Sequence, residues 1–324
     1  MSLACAILDD YQGVALGLAD WSALGDRVHV EVLREPLADD ARAERLAPYH
    51  IVVAMRERTP FDAALVGALP NLRLIVTTGM LNAAIDMGAA ADRGVTVCGT
   101  RSLATPTPEH AWALLMALCR NIPAEERALR AGRWQQTIGR DLAGATLGLV
   151  GFGKVAKVMA RYAAAFEMRV VAFSRSLTDD VAAEHGVRRA ASLDELLAAA
   201  DIVSVHVPLT DATRGLIGAD ALSRMRRGAL LLNTSRGPIV DSDALAVALA
   251  DGRLGGAAVD VFDHEPIRGD EALLAAPNTV LTPHLGYVTK ANYARYYADA
   301  VEDIAAYLDG TPVRVLAAPQ RVHP

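Results

Sequence analysis

The chain has 324 residues, 52% hydrophobic and 22% charged, a balance typical of folded globular proteins and far from the low-hydrophobicity regime of disorder; its length exceeds what one core usually fills, so two domains are expected. A formal net charge of -6 argues against a nucleic-acid partner, which would call for a basic stripe. Cys5, Cys98 and Cys119 lack the paired spacing of a zinc or redox site and fit a reducing, cytoplasmic compartment, and the absence of a leader-like N-terminus or of about 18 uninterrupted apolar residues argues against export and a membrane partner.

In chain order, short apolar runs at Ala4 to Leu8, Val28 to Leu33, Ile51 to Ala54, Leu72 to Val76 and Val95 to Val97 alternate with helix-like stretches. This is the βαβ pattern of a parallel sheet whose strands are buried on both faces. Thr105-Pro106-Thr107-Pro108 then breaks the pattern before an apolar helix from Glu109 to Leu118, marking either a hinge or a stiff loop with proline at the first helical position. A second βα series starts at Ala145 and continues through Arg169 to Phe173, Asp201 to Val207, Ala229 to Asn233, Ala257 to Val261 and Thr279 to Leu281. The basic cluster Arg224, Arg226 and Arg227 reads as a solvated helix end. The last helix, Lys290 to Leu308, carries Tyr293, Tyr296, Tyr297, Val301, Ile304 and Tyr307 at helical spacing, so one face is expected to be buried. The fold class is therefore α/β, with two doubly wound parallel sheets.

The strongest local signal is Gly148-Leu149-Val150-Gly151-Phe152-Gly153-Lys154-Val155-Ala156, which follows an apolar strand and opens a helix. It matches G-x-G-x-x-[G/A]: Gly151 makes the tight turn, Gly153 lets the backbone approach a pyrophosphate, and Ala156 lets helix and strand pack closely. The N–H groups of Gly151 to Val155, with the helix dipole behind them, are expected to hold the phosphates of a dinucleotide. An acidic residue on the ribose 2′-OH is next expected about 20 positions on, but the second strand ends in Ser174-Arg175-Ser176. A guanidinium and two hydroxyls suit a 2′-phosphate, which favours NADP over NAD.

Three later segments place reactive side chains at strand ends: Asn233-Thr234-Ser235-Arg236-Gly237, Val259-Asp260-Val261-Phe262-Asp263-His264-Glu265-Pro266 and Thr282-Pro283-His284-Leu285-Gly286-Tyr287. Ligands of open α/β sheets bind outside the carboxyl ends of strands, so these segments are expected to converge. In this order, behind a GxGxxA loop, they resemble the D-isomer-specific 2-hydroxyacid dehydrogenase family, over about residues 50 to 308. The resemblance implies a Rossmann-type cofactor domain at residues 103–286, a discontinuous flavodoxin-like substrate domain at 1–102 and 287–324, and a homodimer joined through the cofactor domains. It also implies hydride transfer between NAD or NADP and C2 of a small 2-hydroxy or 2-oxo acid.

Matched residue by residue, the family's catalytic arginine, glutamate and histidine fall on Arg236, Glu265 and His284. The chemistry of each side chain suits its role. A planar guanidinium can grip a carboxylate and polarise the C2 oxygen. An imidazole can give that oxygen a proton in reduction and take it back in oxidation, while a carboxylate on its other nitrogen fixes the ring and favours the protonated form. The resemblance places Val207, Pro208 and Thr213 beside the cofactor, Asp260 near its carboxamide, and Thr234, Ser235 and Gly286 on the same wall. His206 reads equally as a core residue or a contact.

On the substrate side, Thr78, Gly79 and Met80 resemble the family loop whose backbone N–H groups bind the substrate carboxylate, although Met80 and Leu81 are bulkier than the usual glycine-rich run. Arg56 ends a strand and reads either as a substrate contact or as the partner of a glutamate. Trp134 reads as a pocket wall donated across a dimer or as packing. The same resemblance leaves open a phosphoglycerate dehydrogenase and, from a different class, a nicotinamide-sensing corepressor that recruits peptides. Glu265 argues against formate dehydrogenases, which pair the histidine with glutamine.

Overall fold

The computed structural model describes residues 2–319, which divide into two compact units: residues up to Leu103 together with those from Thr289 onward, and Ala104–Val288 between them. The first unit takes strands β1 (Leu3–Ile7), β2 (Val28–Val32), β3 (Ile51–Ala54), β4 (Leu74–Thr77) and β5 (Thr96–Gly99). The second takes β6 (Thr146–Val150), β7 (Arg169–Phe173), β8 (Arg188–Arg189), β9 (Ile202–Val205), β10 (Leu230–Asn233), β11 (Gly256–Val259) and β12 (Thr279–Leu281), and β13 (Val315–Ala317) returns to the first.

In the first unit the order is β13-β5-β4-β3-β1-β2. Strands β1 to β5 run parallel in the 2-1-3-4-5 order of a flavodoxin-like sheet, and β3, β4 and β5 are buried at every residue, as their unbroken apolar runs require. The antiparallel β13 on the β5 edge was not foreseen: three residues, part exposed, carry no alternating pattern to read. The last helix spans Lys290–Leu308 as its spacing predicts and buries Tyr293, Tyr296 and Tyr297. Thr289 caps it by accepting from the backbone N–H of Asn292.

The second unit is parallel throughout, in the order β12-β11-β10-β9-β6-β7-β8. Counted from β6, this is the Rossmann arrangement, with its topological switch between β6 and β9. Two apolar clusters fill it, one around Leu115, Leu147, Leu149 and Met159, the other around Leu196, Val203, Leu231 and Leu245. The helix after the proline run begins at Pro106 itself, where the missing N–H costs nothing, and ends at Cys119. The cysteines are unpaired and buried, and no helix among the described residues is long and apolar enough to cross a membrane. Arg224 and Arg226 pair with Asp194 and Asp201 at the surface, at 2.8 and 2.5 Å.

Candidate active site

The glycine loop leaves β6 at Val150. Gly151 has φ +92, and a Cβ there would lie 2.6 Å from the carbonyl oxygen of His206, so no other residue fits between β6 and β9. Gly153 faces open space, and the helix Lys154–Ala165 starts behind it with no side-chain cap, leaving its first N–H groups for a ligand. Phe152 points the other way: its side chain belongs to the core and meets the ring of His185 edge-on.

Beside this loop, Ser174, Arg175, Ser176, Val207, Pro208 and Thr213 line one cavity of about 630 Å³, together with Val150 and Phe173. No carboxylate lines it. The Thr213 hydroxyl is spent on its own loop, donating to the carbonyl of Pro208 at 2.6 Å and accepting from the backbone N–H of Thr210 at 2.8 Å. His206 meets the Ser204 hydroxyl at 2.8 Å. Burial pushes its pKa down to about 4, even though part of the residue reaches solvent, so the ring is neutral at neutral pH.

The second group sits at the carboxyl ends of three adjacent strands, β10, β11 and β12. After β10, the Asn233 side chain accepts from the Ser235 N–H and donates to the Arg236 carbonyl, bending the chain into a side-chain-braced turn. The Ser235 hydroxyl donates to the Val205 carbonyl at 2.9 Å, and Arg236 Nη1 donates to the Ser235 carbonyl at 2.7 Å. A Cβ on Gly237 would fall 2.1 Å from the carbonyl carbon of Phe262, so this glycine alone lets the arginine segment press against the one that leads to Glu265. Thr234 Oγ1 is buried with no hydrogen-bond partner among the described residues, an unmet polar group on the same wall.

After β11, Glu265 is fixed through both oxygens. Oε1 accepts from the Phe262 N–H at 2.9 Å, and Oε2 lies 2.5 Å from His284 Nδ1. His284 has φ +55, a left-handed conformation costly for a non-glycine residue and typical of functional sites. What holds it there is Asp260, only 1% exposed. Its Oδ1 accepts from the Thr282 hydroxyl at 2.6 Å and from the Leu285 N–H at 2.7 Å, and its Oδ2 from the Gly286 N–H at 2.8 Å. Burial pushes this carboxyl up, but hydrogen bonds from His110, Thr282 and Leu285 outweigh it and hold the group below the ordinary aspartate range. Whatever it does toward a cofactor, Asp260 gives most of its acceptor capacity to the loop that carries His284. His110, 3.1 Å from Asp260 Oδ1, was missed because 150 residues separate them and its helix reads as plain packing.

In the other unit, Arg56 (φ +53) donates its backbone N–H to Thr78 Oγ1 at 2.8 Å and its Nη1 to the Thr78 carbonyl at 3.2 Å, with the Glu57 carboxylate 3.8 Å from its Nε. The Thr78 and Gly79 amides, expected to face a carboxylate, have acceptors within their own unit. Thr78 N–H donates to the Ala54 carbonyl and Gly79 N–H to Thr100 Oγ1, which leaves Met80 the amide of the three with no acceptor among the described residues. Asn82, also missed, braces the loop from within through the Arg56 carbonyl and the Thr77 hydroxyl.

Residues 112–286 match the family model for the NAD-binding domain of D-isomer specific 2-hydroxyacid dehydrogenases. A glyoxylate reductase from Korarchaeum cryptofilum is 38% identical over 78% of this chain and 77% of its own length. A D-3-phosphoglycerate dehydrogenase from Archaeoglobus fulgidus is 36% identical over 83% of this chain, and the match spans only about half, 52%, of that longer relative. The crystal structure of a phosphoglycerate oxidoreductase from Vibrio cholerae superposes with a TM-score of 0.89 at 36% identity, covering 95% of this chain and 99% of that one.

Proposed function

The chain belongs to the D-isomer specific 2-hydroxyacid dehydrogenase family, and from that premise we propose that it is an oxidoreductase that interconverts a small 2-oxo acid and its 2-hydroxy acid. The observation that carries this reading is the His284–Glu265 pair, held at 2.5 Å beyond the carboxyl ends of β12 and β11, with β10, which leads to Arg236, on the other side of β11. A bound nicotinamide dinucleotide supplies or accepts the hydride at C2. Arg236 binds the substrate carboxylate and, through a second N–H, polarises the C2 oxygen. Because Nδ1 faces Glu265, His284 presents Nε2 to that oxygen, protonating it in reduction and deprotonating the hydroxyl in oxidation. In the N-terminal unit, Arg56 and the segment Thr78–Met80 are the candidate substrate-binding groups, with the Met80 amide the available donor.

The cofactor unit fits a dinucleotide. Glycine 151 is obligatory, Gly153 is open, the helix N-terminus is uncapped, and the neighbouring cavity is lined by Ser174, Arg175 and Ser176 with no carboxylate. That lining supports a preference for NADP(H). A homodimer through the same unit is supported by exposed apolar residues in and after the helix Ile122–Arg130: Leu129, Trp134 (73% exposed) and Ile138 (95%). Trp134 shares a cavity lining with Ile122 and Leu129 of its own unit and keeps most of its surface open to a partner. A cytoplasmic location is supported by the three unpaired cysteines.

The test is a set of initial rates with NADPH and with NADH against glyoxylate, hydroxypyruvate, 3-phosphohydroxypyruvate, pyruvate, phenylpyruvate and branched 2-oxo acids. Turnover is expected, with kcat/KM about 10-fold or more higher for NADPH, the worth of roughly one charge-assisted hydrogen bond. A lower Kd for NADH than for NADPH would remove the cofactor preference. A clear lead for 3-phosphohydroxypyruvate would instead assign the phosphoglycerate dehydrogenase activity carried by the name of the Archaeoglobus relative.

A further inference from the structure

We propose that His110 is a positioning residue for the acid–base histidine, acting through Asp260 on the loop Thr282–Gly286; the proposal rests on the reading of His284 given above. His110 lies in the first turns of the helix Pro106–Cys119, and its Nε2 stands 3.1 Å from Asp260 Oδ1 and 3.1 Å from Thr282 Oγ1. The contacts fix which nitrogen carries hydrogen. Thr282 commits its own hydroxyl hydrogen to Asp260 Oδ1 at 2.6 Å, so both oxygens present lone pairs to the imidazole, and Nε2 must be the donor.

Asp260 thereby gathers four donors, from His110, Thr282, Leu285 and Gly286. Three of them belong to the loop, and two are the amides that directly follow His284. A left-handed histidine persists only where its surroundings over-determine it, and these two amides are the constraint. Among the described residues, His110 is the one donor to this carboxylate that comes from outside the loop and from a long helix. It anchors the aspartate, and through it the loop, to a rigid element. Without it the buried carboxylate side chain can turn to follow the loop, and the loop is referenced to the sheet only by its first residue, through the Thr282 N–H on the Val259 carbonyl. The Nε2 of His284 then samples positions off the line to the C2 oxygen, which lowers the rate of proton transfer more than it lowers binding.

Two variants separate positioning from bulk structure. His110→Phe keeps ring volume and removes the donor; His110→Gln places an amide N–H near the same point. For a 2-oxo acid that the wild type reduces, His110→Phe is expected to lower kcat about 10-fold or more with KM within about 3-fold, and His110→Gln to recover most of the loss. In parallel, ¹H–¹⁵N spectra of histidine-labelled protein, with the His284 ring assigned from a His284→Asn variant, are expected to show that ring shifted or broadened in His110→Phe and restored in His110→Gln. Unchanged kcat and an unchanged His284 signal in His110→Phe would overturn the proposal. So would equal losses in both variants that track a fall in Tm, since these indicate a packing role only. If the wild type reduces none of the acids, the dehydrogenase reading fails, and the His284 spectra alone still decide whether His110 positions that ring.

Discussion

Replacing His284 with asparagine is expected to lower kcat for 2-oxo acid reduction by about 10²- to 10⁴-fold, the range that general acid–base catalysis supplies. Asparagine can still accept or donate a hydrogen bond at the substrate, so KM should move far less than kcat, the mark of an interaction made in the transition state. Glu265→Gln should fall nearly as far, for a reason the geometry supplies. Glu265 accepts at both oxygens, from the Phe262 N–H at 2.9 Å and from His284 Nδ1 at 2.5 Å. Glutamine has one acceptor oxygen. If that oxygen keeps Phe262, its amide N–H faces Nδ1 and forces the ring to carry its hydrogen on Nε2 as a neutral donor, which must become imidazolate to give a proton away. The tautomer penalty of a carboxylate-to-amide exchange behind a catalytic histidine reaches about 10⁴-fold. Steady-state kinetics on both variants check this, and a Glu265→Gln enzyme with wild-type kcat would show that the pair does not handle the proton.

Arg236→Lys should cost about 10²- to 10³-fold in kcat/KM. A lysine keeps the charge but not the fork, so it can hold the carboxylate or the C2 oxygen but not both in one pose. Each charge-assisted hydrogen bond lost is worth about 1.5–3 kcal/mol. The position tolerates no slack around it, because the guanidinium is anchored to the Ser235 carbonyl and the next residue, Gly237, lies against the Phe262 backbone. Loss in both kcat and KM is therefore expected. A lysine variant whose kcat/KM stays within about 3-fold of wild type would take Arg236 out of the site.

Much of this was legible in the sequence because it depends on local constraints. Ile51 to Ala54 and Thr279 to Leu281 match strands β3 and β12, and the glycine loop declares itself because only glycine survives at Gly151. The three segments that hold Arg236, Glu265 and His284 could be picked out by their place after apolar runs, the residues themselves by the family resemblance, and the structure sets them after neighbouring strands. What could not be read is how hydrogen bonds are allotted. Asp260 is an acid after a strand in either account, and only the fold shows that it holds the His284 loop. The amides of Thr78 and Gly79 are claimed by Ala54 and Thr100, a choice set by strand packing. His110 reaches Asp260 across 150 residues, and nothing in the helix that bears it distinguishes a half-buried donor from a packed ring.

In the proposed reaction a hydride passes between a nicotinamide and C2 of a 2-oxo acid. The measurement that meets it most directly uses cofactor deuterated at C4 of the nicotinamide, in each of the two prochiral positions, with the best acid from the panel and mass and NMR analysis of the product. Deuterium from one of the two labelled cofactors should appear at C2 of the hydroxy acid, one atom per molecule, and His284→Asn should slow its arrival as it slows kcat. Tight cofactor binding with no deuterium at C2 of any of the acids would rule out hydride transfer to these acids and leave a protein that senses the nucleotide without using it.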